Sequence, residues 1–381
     1  MKKGWEVKKL GEVCDFKSGT TIPNSLEKSE GEIVYSKVSD MNITGNEDYI
    51  STSSRYVDFK EININQIIPI GSIIFPKRGG AIATNKKRRI IKPTIVDLNI
   101  MALVPSKSID KDYLFYWFKQ IDLSTLSNGT SIPQINNYSF DDVFISFPKS
   151  LAEQKRIVAL LDEAFAAIGQ AKANAEQNLK NAKELFESYL HRVFETKGDG
   201  WEERSIAKVC SEIFAGGDAP KDNFSAEITE QYTIPIYANA VKNKGLYGYT
   251  DIARVTKPSI TIAARGSGTG HTELRNESYL PIVRLIVLIP NTELVTLKFL
   301  KYKIDTIDIL ISGSAIPQLT VPMIKEYKIP IVPLKAQQSI VEKLDALNAE
   351  SKRLENVYRQ KIGHLESLKK SILQKAFSGA L

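Results

Sequence analysis

Leu151-Ala-Glu-Gln-Lys-Arg-Ile-Val-Ala-Leu-Leu-Asp162 and Leu334-Lys-Ala-Gln-Gln-Ser-Ile-Val-Glu-Lys-Leu-Asp345 decide how this chain is read. They are two versions of one segment, 183 positions apart. The same offset holds at Ser188-Tyr-Leu-His-Arg-Val-Phe194 and Ser371-Ile-Leu-Gln-Lys-Ala-Phe377. A register kept without gaps over this distance is what a helix imposes. Further upstream the offset drifts. Gly129-Thr-Ser-Ile-Pro-Gln134 and Gly313-Ser-Ala-Ile-Pro-Gln318 are 184 apart, and Gly4-Trp-Glu6 and Gly200-Trp-Glu202 are 196 apart. The chain is an internal duplication whose second copy has shorter loops.

A 4-3 spacing from Ile157 selects Leu161, Ala164, Ile168, Ala171, Ala175, Asn178, Ala182, Leu185 and Tyr189. From Ile340 it selects Leu344, Leu347, Ser351, Leu354, Tyr358, Lys361, Leu365, Leu368 and Ile372. Most are apolar, and Lys, Glu, Gln and Asn fill the positions between. That is a heptad seam. Each helix of about 44 residues would be roughly 65 Å long. Each could cap its own globular part, but a seam this long exceeds what one small domain covers. Pairing the two helices buries both, and the order domain–helix–domain–helix fits an antiparallel pair. A globular part would then lie at each end of the rod.

The expected fold is therefore α+β. It has two globular mixed α/β domains, residues 1–150 and 200–333, joined by an antiparallel two-helix coiled coil of residues 151–199 and 334–381, with a pseudo-two-fold repeat. Short apolar runs such as Ser72–Phe75, Ile100–Val104, Ser259–Ala263 and Val283–Val287 read as strands. Gly- and Pro-containing turns separate them. Short helices are expected near Lys111–Gln120 and Leu297–Lys303.

The 381 residues include 51 Lys and Arg against 44 Asp and Glu, a net charge of +7. This balance leans towards a polyanionic partner. The two cysteines, Cys14 and Cys210, make neither a disulfide framework nor a metal cluster. The first ten residues lack a secretory apolar run. No apolar stretch is long enough to span a bilayer. A cytoplasmic location without membrane contact is expected. The three histidines are far apart in sequence, and no metalloprotease, serine-hydrolase or phosphate-loop motif occurs. No catalysis and no bound metal or cofactor are expected of the chain itself.

Lys77-Arg78-Gly-Gly80 and Arg265-Gly-Ser-Gly268 follow apolar strands at equivalent places. Arg beside Gly suits a guanine edge or a phosphate, since Gly lets backbone approach; a tight turn with a solvated Arg is the other reading. Lys86, Lys87 and Arg88 form a cationic run suited to phosphates, or simply solvated. Lys37, Asp40 and Asn42 in the first half, with Tyr237, Asn239 and Lys244 in the second, carry base-edge chemistry or ordinary turn chemistry. His271 and Arg275 complete the candidate DNA contacts. The shared Ile-Pro-Gln triplets at Ile132 and Ile316 are expected to be structural, because two readers of different sequences should differ at base contacts.

These features together resemble the specificity subunits of type I restriction-modification enzymes. The carrying residues are the Gly-Trp-Glu openings, the LAEQKRIVALLD and LKAQQSIVEKLD entries to the helices, and the endings SYLHRVF and SILQKAFSGAL. Ala263-Ala-Arg-Gly-Ser-Gly-Thr-Gly270 also looks like a target-recognition signature. The resemblance implies that each globular domain reads half of a bipartite double-stranded DNA site and that the helices set the gap. It also implies two docked methyltransferase subunits using S-adenosylmethionine, and restriction subunits using ATP and Mg. A reader serving another defence enzyme, or a scaffold whose globular parts bind protein, would share the architecture.

Overall fold

The computed structural model describes residues 4–129, 131–196, 200–266, 268–307 and 318–380. The chain forms two compact units, residues 1–175 with 360–381 and residues 176–359. Both long helices, Leu151–Glu195 and Leu334–Phe377, are divided between them.

In the first unit, strand Trp5–Lys9 pairs antiparallel with Phe144–Pro148, the strand that leads into the long helix. A five-stranded sheet runs Cys14–Ser18, Ile100–Pro105, Ile73–Pro76, Arg88–Ile90, Tyr49–Ile50. A three-stranded sheet runs Tyr56–Val57, Ile33–Ser36, Thr94–Val96, its last pair parallel. The short helix Lys111–Lys119 starts where the Asp110 carboxylate accepts from the Asp112 and Tyr113 amides. It buries Tyr113 through Phe118 all round and keeps Lys111, Asp112 and Lys119 at its two ends. The rings of Phe75, Phe118 and Phe140 meet in that core.

The second unit repeats this plan. Glu202–Ser205 pairs with Lys328–Ile331. The four-stranded order Cys210–Ala215, Ile286–Pro290, Ser259–Ile262, Thr272–Arg275 matches the first four strands of the larger first-unit sheet. In the other sheet, Ile234–Tyr237 and Leu280–Pro281 reproduce the parallel pair. The short helix Leu297–Asp305 is capped by the Thr296 hydroxyl.

Two buried amides tie each globular part to its helix. Gln154 accepts from the Asp110 amide (2.6 Å) and donates to the carbonyls of Pro148 (2.8 Å) and Ser108 (3.3 Å). Gln337 accepts from the Thr296 amide (2.8 Å) and donates to the carbonyls of Leu294 and Val332, both at 2.8 Å. Neither side chain has any exposure. About two turns further along each long helix, Tyr116 donates to Asp162 and Tyr302 to Asp345.

Within each unit the long helices pair antiparallel. In the first, Lys172 bridges Glu366 at 2.7 Å while the Lys369 ammonium lies 4.9 Å from the Phe165 ring centre. Ile157 and Leu161 share one core with Leu373, Ala376 and Phe377. In the second, the Ser351 hydroxyl donates to the Ala182 carbonyl at 2.5 Å, and Leu190 and Phe194 pack with Val341 and Leu344. Of the expected seam, Ile157, Leu161, Ile168 and Leu344 are buried. Tyr189, Ile340, Leu347, Leu354, Leu365 and Ile372 are half-buried.

Leu185 and Leu368 depart from the expectation, with 53% and 47% exposure. A strict 4-3 count drifts about 20° per heptad against a helix of 3.6 residues per turn. After Ala182 the packed positions are Phe186, Tyr189 and Leu190, so Leu185 turns outward. In the second helix the contact beside Phe165 is made by Lys369, one position past Leu368.

Gln154→Ala strands one buried amide and two carbonyls, with an expected loss of about 3 kcal/mol. Urea unfolding followed through Trp5 and Trp117 checks this. A loss below about 0.5 kcal/mol, the range of surface substitutions, would show that the staple is dispensable.

Candidate nucleic-acid interface

In the first unit, strand Ile73–Pro76 runs out at Lys77, and Arg78 follows with an exposed side chain. Gly79 has φ +69°, and an added Cβ would meet nothing within 4 Å, so it is the backbone turn that calls for glycine. The loop is held from the Ile-Pro-Gln side. The Gly79 amide donates to the Pro133 carbonyl (2.8 Å), the Ile135 amide to the Lys77 carbonyl (2.9 Å), and Arg78 bridges Gln134.

The second unit repeats the clamp. Arg265 bridges Gln318, the Leu319 amide donates to the Ala264 carbonyl (2.8 Å), and Gly266 has φ +80°. The exposed Arg265 guanidinium donates to the Gln318 side chain at 3.3 Å. Gln134 and Gln318 therefore hold the Arg-Gly loops at the ends of equivalent strands; Ile316 and Pro317 lie outside the described residues.

The basic run lies differently from expectation. Asn85 turns the chain with φ +52°, and Lys86 donates to the exposed Asn42, which brings two sequence candidates together. Lys87, Arg88 and Arg89 then enter strand Arg88–Ile90 and are buried. Lys87 donates to Asn85 (2.7 Å) and to the Ile121 carbonyl (2.6 Å), and its ammonium sits over the Phe118 ring. Arg88 donates to the carbonyls of Lys87 and Met41. Arg89 is paired with Asp112 and stacked on Tyr49 and Phe115. Lys87 and Arg88 are thus core cations that compact strand packing has drawn inward. Burial pushes the Lys87 amine down to about 8.

Other candidates also serve the fold. Asp40 is buried and accepts from the Lys37 amide and the Ser54 hydroxyl, with Arg55 alongside at 3.6 Å. Lys37 is half-buried and paired with Glu27 at 2.7 Å. Lys77, half-buried, donates to Ser18. In the second unit, Arg275 is buried, donates to Thr261 and to the Lys244 carbonyl, and stacks on the Tyr237 ring. The Tyr237 phenol is pushed up to about 12 by burial and by Glu277, to which it donates. His271 is half-buried against Glu273. Asn239 accepts from the amides of Ala264 and Arg265 and donates to the Arg265 carbonyl. It shapes the Arg265 loop. Lys244 is exposed, in left-handed backbone with φ +51°.

Asp40 and Arg275 are accordingly corrected from base readers to buried supports of the loops. Arg78, Arg265, Lys86, Asn42 and Lys244 retain surface positions. Leu98, not singled out in the sequence, and Val283, expected to open a strand, are exposed apolar side chains in turns; the strand after Val283 begins only at Ile286.

Among the described residues no group of His, Cys, Asp and Glu could hold a metal ion, and no helix is long and apolar enough to cross a membrane. Burial pushes both cysteine thiols up to about 12.

The sequence profile of the type I restriction modification DNA specificity domain matches residues 2–180 and again 198–363. A Mycoplasma pneumoniae protein provisionally named a type I specificity subunit is 27% identical over 89% of this chain and 88% of its own length. A second from that organism is 31% identical over 64% of this chain and 75% of its own length. The MjaIX specificity subunit of Methanocaldococcus jannaschii is 24% identical over 58% and 54%. Among solved structures, a chain from a study of assembly and conformational transition of the type I R-M system superposes with TM-score 0.82 at 19% identity, over 100% and 99% of the two chains. The HsdS subunit of Thermoanaerobacter tengcongensis superposes with TM-score 0.66 at 20% identity, over 100% and 98%. Both share this fold.

The buried Lys87 has a measurable signature. An unfolded lysine keeps its proton to about pH 10.4, whereas folded Lys87 releases it near 8. Between those values the unfolded chain binds more protons, so this residue's contribution to stability rises with pH. Relative to Lys87→Met, the wild type should gain about 1–2 kcal/mol between pH 7.5 and 9.5. A pH-independent difference would place this amine in solvent.

Proposed function

The chain belongs to the family of type I restriction-modification DNA specificity subunits, the sequence-recognition subunits of those enzymes, and on that premise we propose that it reads a bipartite DNA site, one half-site per globular unit. The observation that carries this reading is the repeated edge. Two units of the same strand order each present one exposed arginine, in a glycine turn clamped by a Gln. An arginine so placed can address guanine O6 and N7 together. Asn42 and Lys86 in the first unit, and Lys244 in the second, add polar and cationic contacts. The net charge of +7 favours the phosphate backbone.

In this reading the paired helices set the non-specific gap between half-sites. The chain performs no catalytic step. Adenine methylation with S-adenosylmethionine belongs to two methyltransferase subunits, and ATP- and Mg-dependent restriction to further subunits. The duplication supports a pair of methyltransferases, since two equivalent surfaces suit two copies of one partner. The assembly would work in the cytoplasm, where the DNA is.

Co-expression with the cognate methyltransferase, followed by genome-wide mapping of methylated adenines, tests the reading. The expected result is a two-part motif with a fixed gap. Arg78→Ala should weaken selection of one half-site and Arg265→Ala the other, each by about 10–100-fold. Removing one heptad from both helices should change the gap and leave the half-sites intact. Methylation without any motif would overturn the reading.

A further inference from the structure

In the second unit the turn that joins the antiparallel strands Ile234–Tyr237 and Leu246–Thr250 is built onto the Arg265 loop. The Asn239 side chain donates to the Arg265 carbonyl at 2.9 Å and accepts from the Ala264 and Arg265 amides. Val241 packs so closely on Gly268 that a Cβ at that position would have no room. The buried Arg275 donates to the Lys244 carbonyl, and its guanidinium carbon lies 3.5 Å from the centre of the Tyr237 ring. Contacts at Asn239, Val241 and Lys244 therefore make the turn and the Arg265 loop one surface.

That surface is cationic. Lys242, Asn243 and Lys244 are exposed in succession, and Arg265 is exposed on the adjoining loop. Among the described residues none of these three cations pairs with a carboxylate. Like charges gathered without a counter-charge repel one another until an anion arrives. Asn243 and Lys244 both hold φ +51°. Asparagine takes this left-handed backbone readily and lysine seldom does, so the turn keeps an ammonium where the backbone disfavours it. The first unit treats the same place in the fold differently. Strand Ile33–Ser36 is the counterpart of Ile234–Tyr237, each with a parallel neighbour. In the segment that follows it, Lys37 pairs with Glu27, and the buried Asp40 lies beside Arg55. The surface cation joined to that segment is Lys86, through Asn42.

We propose that Lys242 and Lys244 form a phosphate clamp on the DNA backbone beside the base pair addressed by Arg265, and that this clamp gives the second unit more of the sequence-independent affinity than Lys86 gives the first. This rests on the reading that the Arg265 loop faces DNA. A lysine ammonium is a point charge on a flexible stem. It suits a phosphate, which carries no sequence information and fixes the register of the protein on the duplex. Arg265 is different, because its backbone is held by Asn239 and its guanidinium by Gln318. The arginine specifies and the lysines position. Each phosphate neutralised in this way releases condensed counterions, so the contact shows itself as salt dependence.

The test uses the full chain assembled with its methyltransferase partner, on duplexes carrying the mapped site, with affinity measured across a range of salt. Lys242→Gln with Lys244→Gln should make the plot of log K against log salt shallower by about 1.8, at about 0.9 per phosphate. Affinity at low salt should fall roughly 10–100-fold, by the same factor on a duplex whose Arg265 half-site is scrambled. The methylated motif should keep both halves. Lys242→Arg with Lys244→Arg should restore the slope. Lys86→Gln should change the slope by about 0.9, half as much. Lys37→Gln should leave it unchanged, because Glu27 already neutralises that ammonium. An unchanged slope in the double Gln variant would overturn the clamp. So would a motif altered in the Arg265 half-site, which makes these residues base readers, or loss of the methyltransferase from the complex, which assigns the turn to a protein partner. A larger change from Lys86→Gln than from the lysine pair would overturn the unequal division. Arg265→Ala separates the two levels. If it relaxes its half-site while the lysine variants bind as wild type, the clamp alone falls. If it too leaves the motif intact, the Arg265 loop does not face DNA.

Discussion

The buried amide of Gln154, repeated as Gln337, is the contact from which each half of the molecule is organised. It joins three segments distant in sequence: the loop before the short helix, the strand that ends the globular part, and the first turn of the long helix. An amide has two donors and an acceptor with fixed directions. Once it satisfies all three partners inside a dry core, the globular part has one orientation on its helix. Leaving any partner unpaired costs the full desolvation of that group. The Tyr–Asp pair about two turns on and the shared apolar core of helix and short helix add rigidity to a geometry already set.

The same economy of polar groups explains the recognition edges. Each Arg-Gly loop leaves a sheet and could wander. Instead its backbone is tied to the Ile-Pro-Gln segment, so the guanidinium is displayed from a fixed frame. In the second unit Asn239 adds three more hydrogen bonds around Arg265. A preorganised arginine loses less freedom on meeting a base edge than a floppy one. The frame is common to both units, while the neighbouring side chains differ. Such a division lets sequence preference change without disturbing the fold.

The cationic run shows how position overrules composition. Four consecutive basic residues invite an electrostatic reading. Yet Lys86 remains at the surface, and Lys87, Arg88 and Arg89 are absorbed into a strand. Carbonyls, a carboxylate and aromatic faces take the place of water there. Buried cations survive when most of their donors find such partners; among the described residues the Nε atoms of Arg88 and Arg89 have none. Asp40 and Arg275 are similar: polar residues whose chemistry suits DNA but whose hydrogen bonds are directed inward.

The sequence by itself determined the duplication, the long helices and their antiparallel seam, and the placing of the Arg-Gly turns at strand ends. These are legible because they rest on periods and repeats, which local geometry enforces along the chain. Of the triplets expected to be structural, Gln134 and Gln318 each bridge the arginine of the adjacent loop. Tertiary structure alone decided which polar side chains face outward. Lys86 and Lys87 are neighbours with the same chemistry, and only the turn at Asn85 and the strand behind it separate surface from core. It also decided that Leu185 and Leu368 leave the seam, because drift of the helical phase accumulates over distances that a fixed 4-3 count ignores. The juxtapositions of Arg78 with Gln134, and of Gln154 with Asp110, depend on strand register and chain crossing. No local pattern encodes them, since the partners are brought together only when the sheet and the helix close on one core.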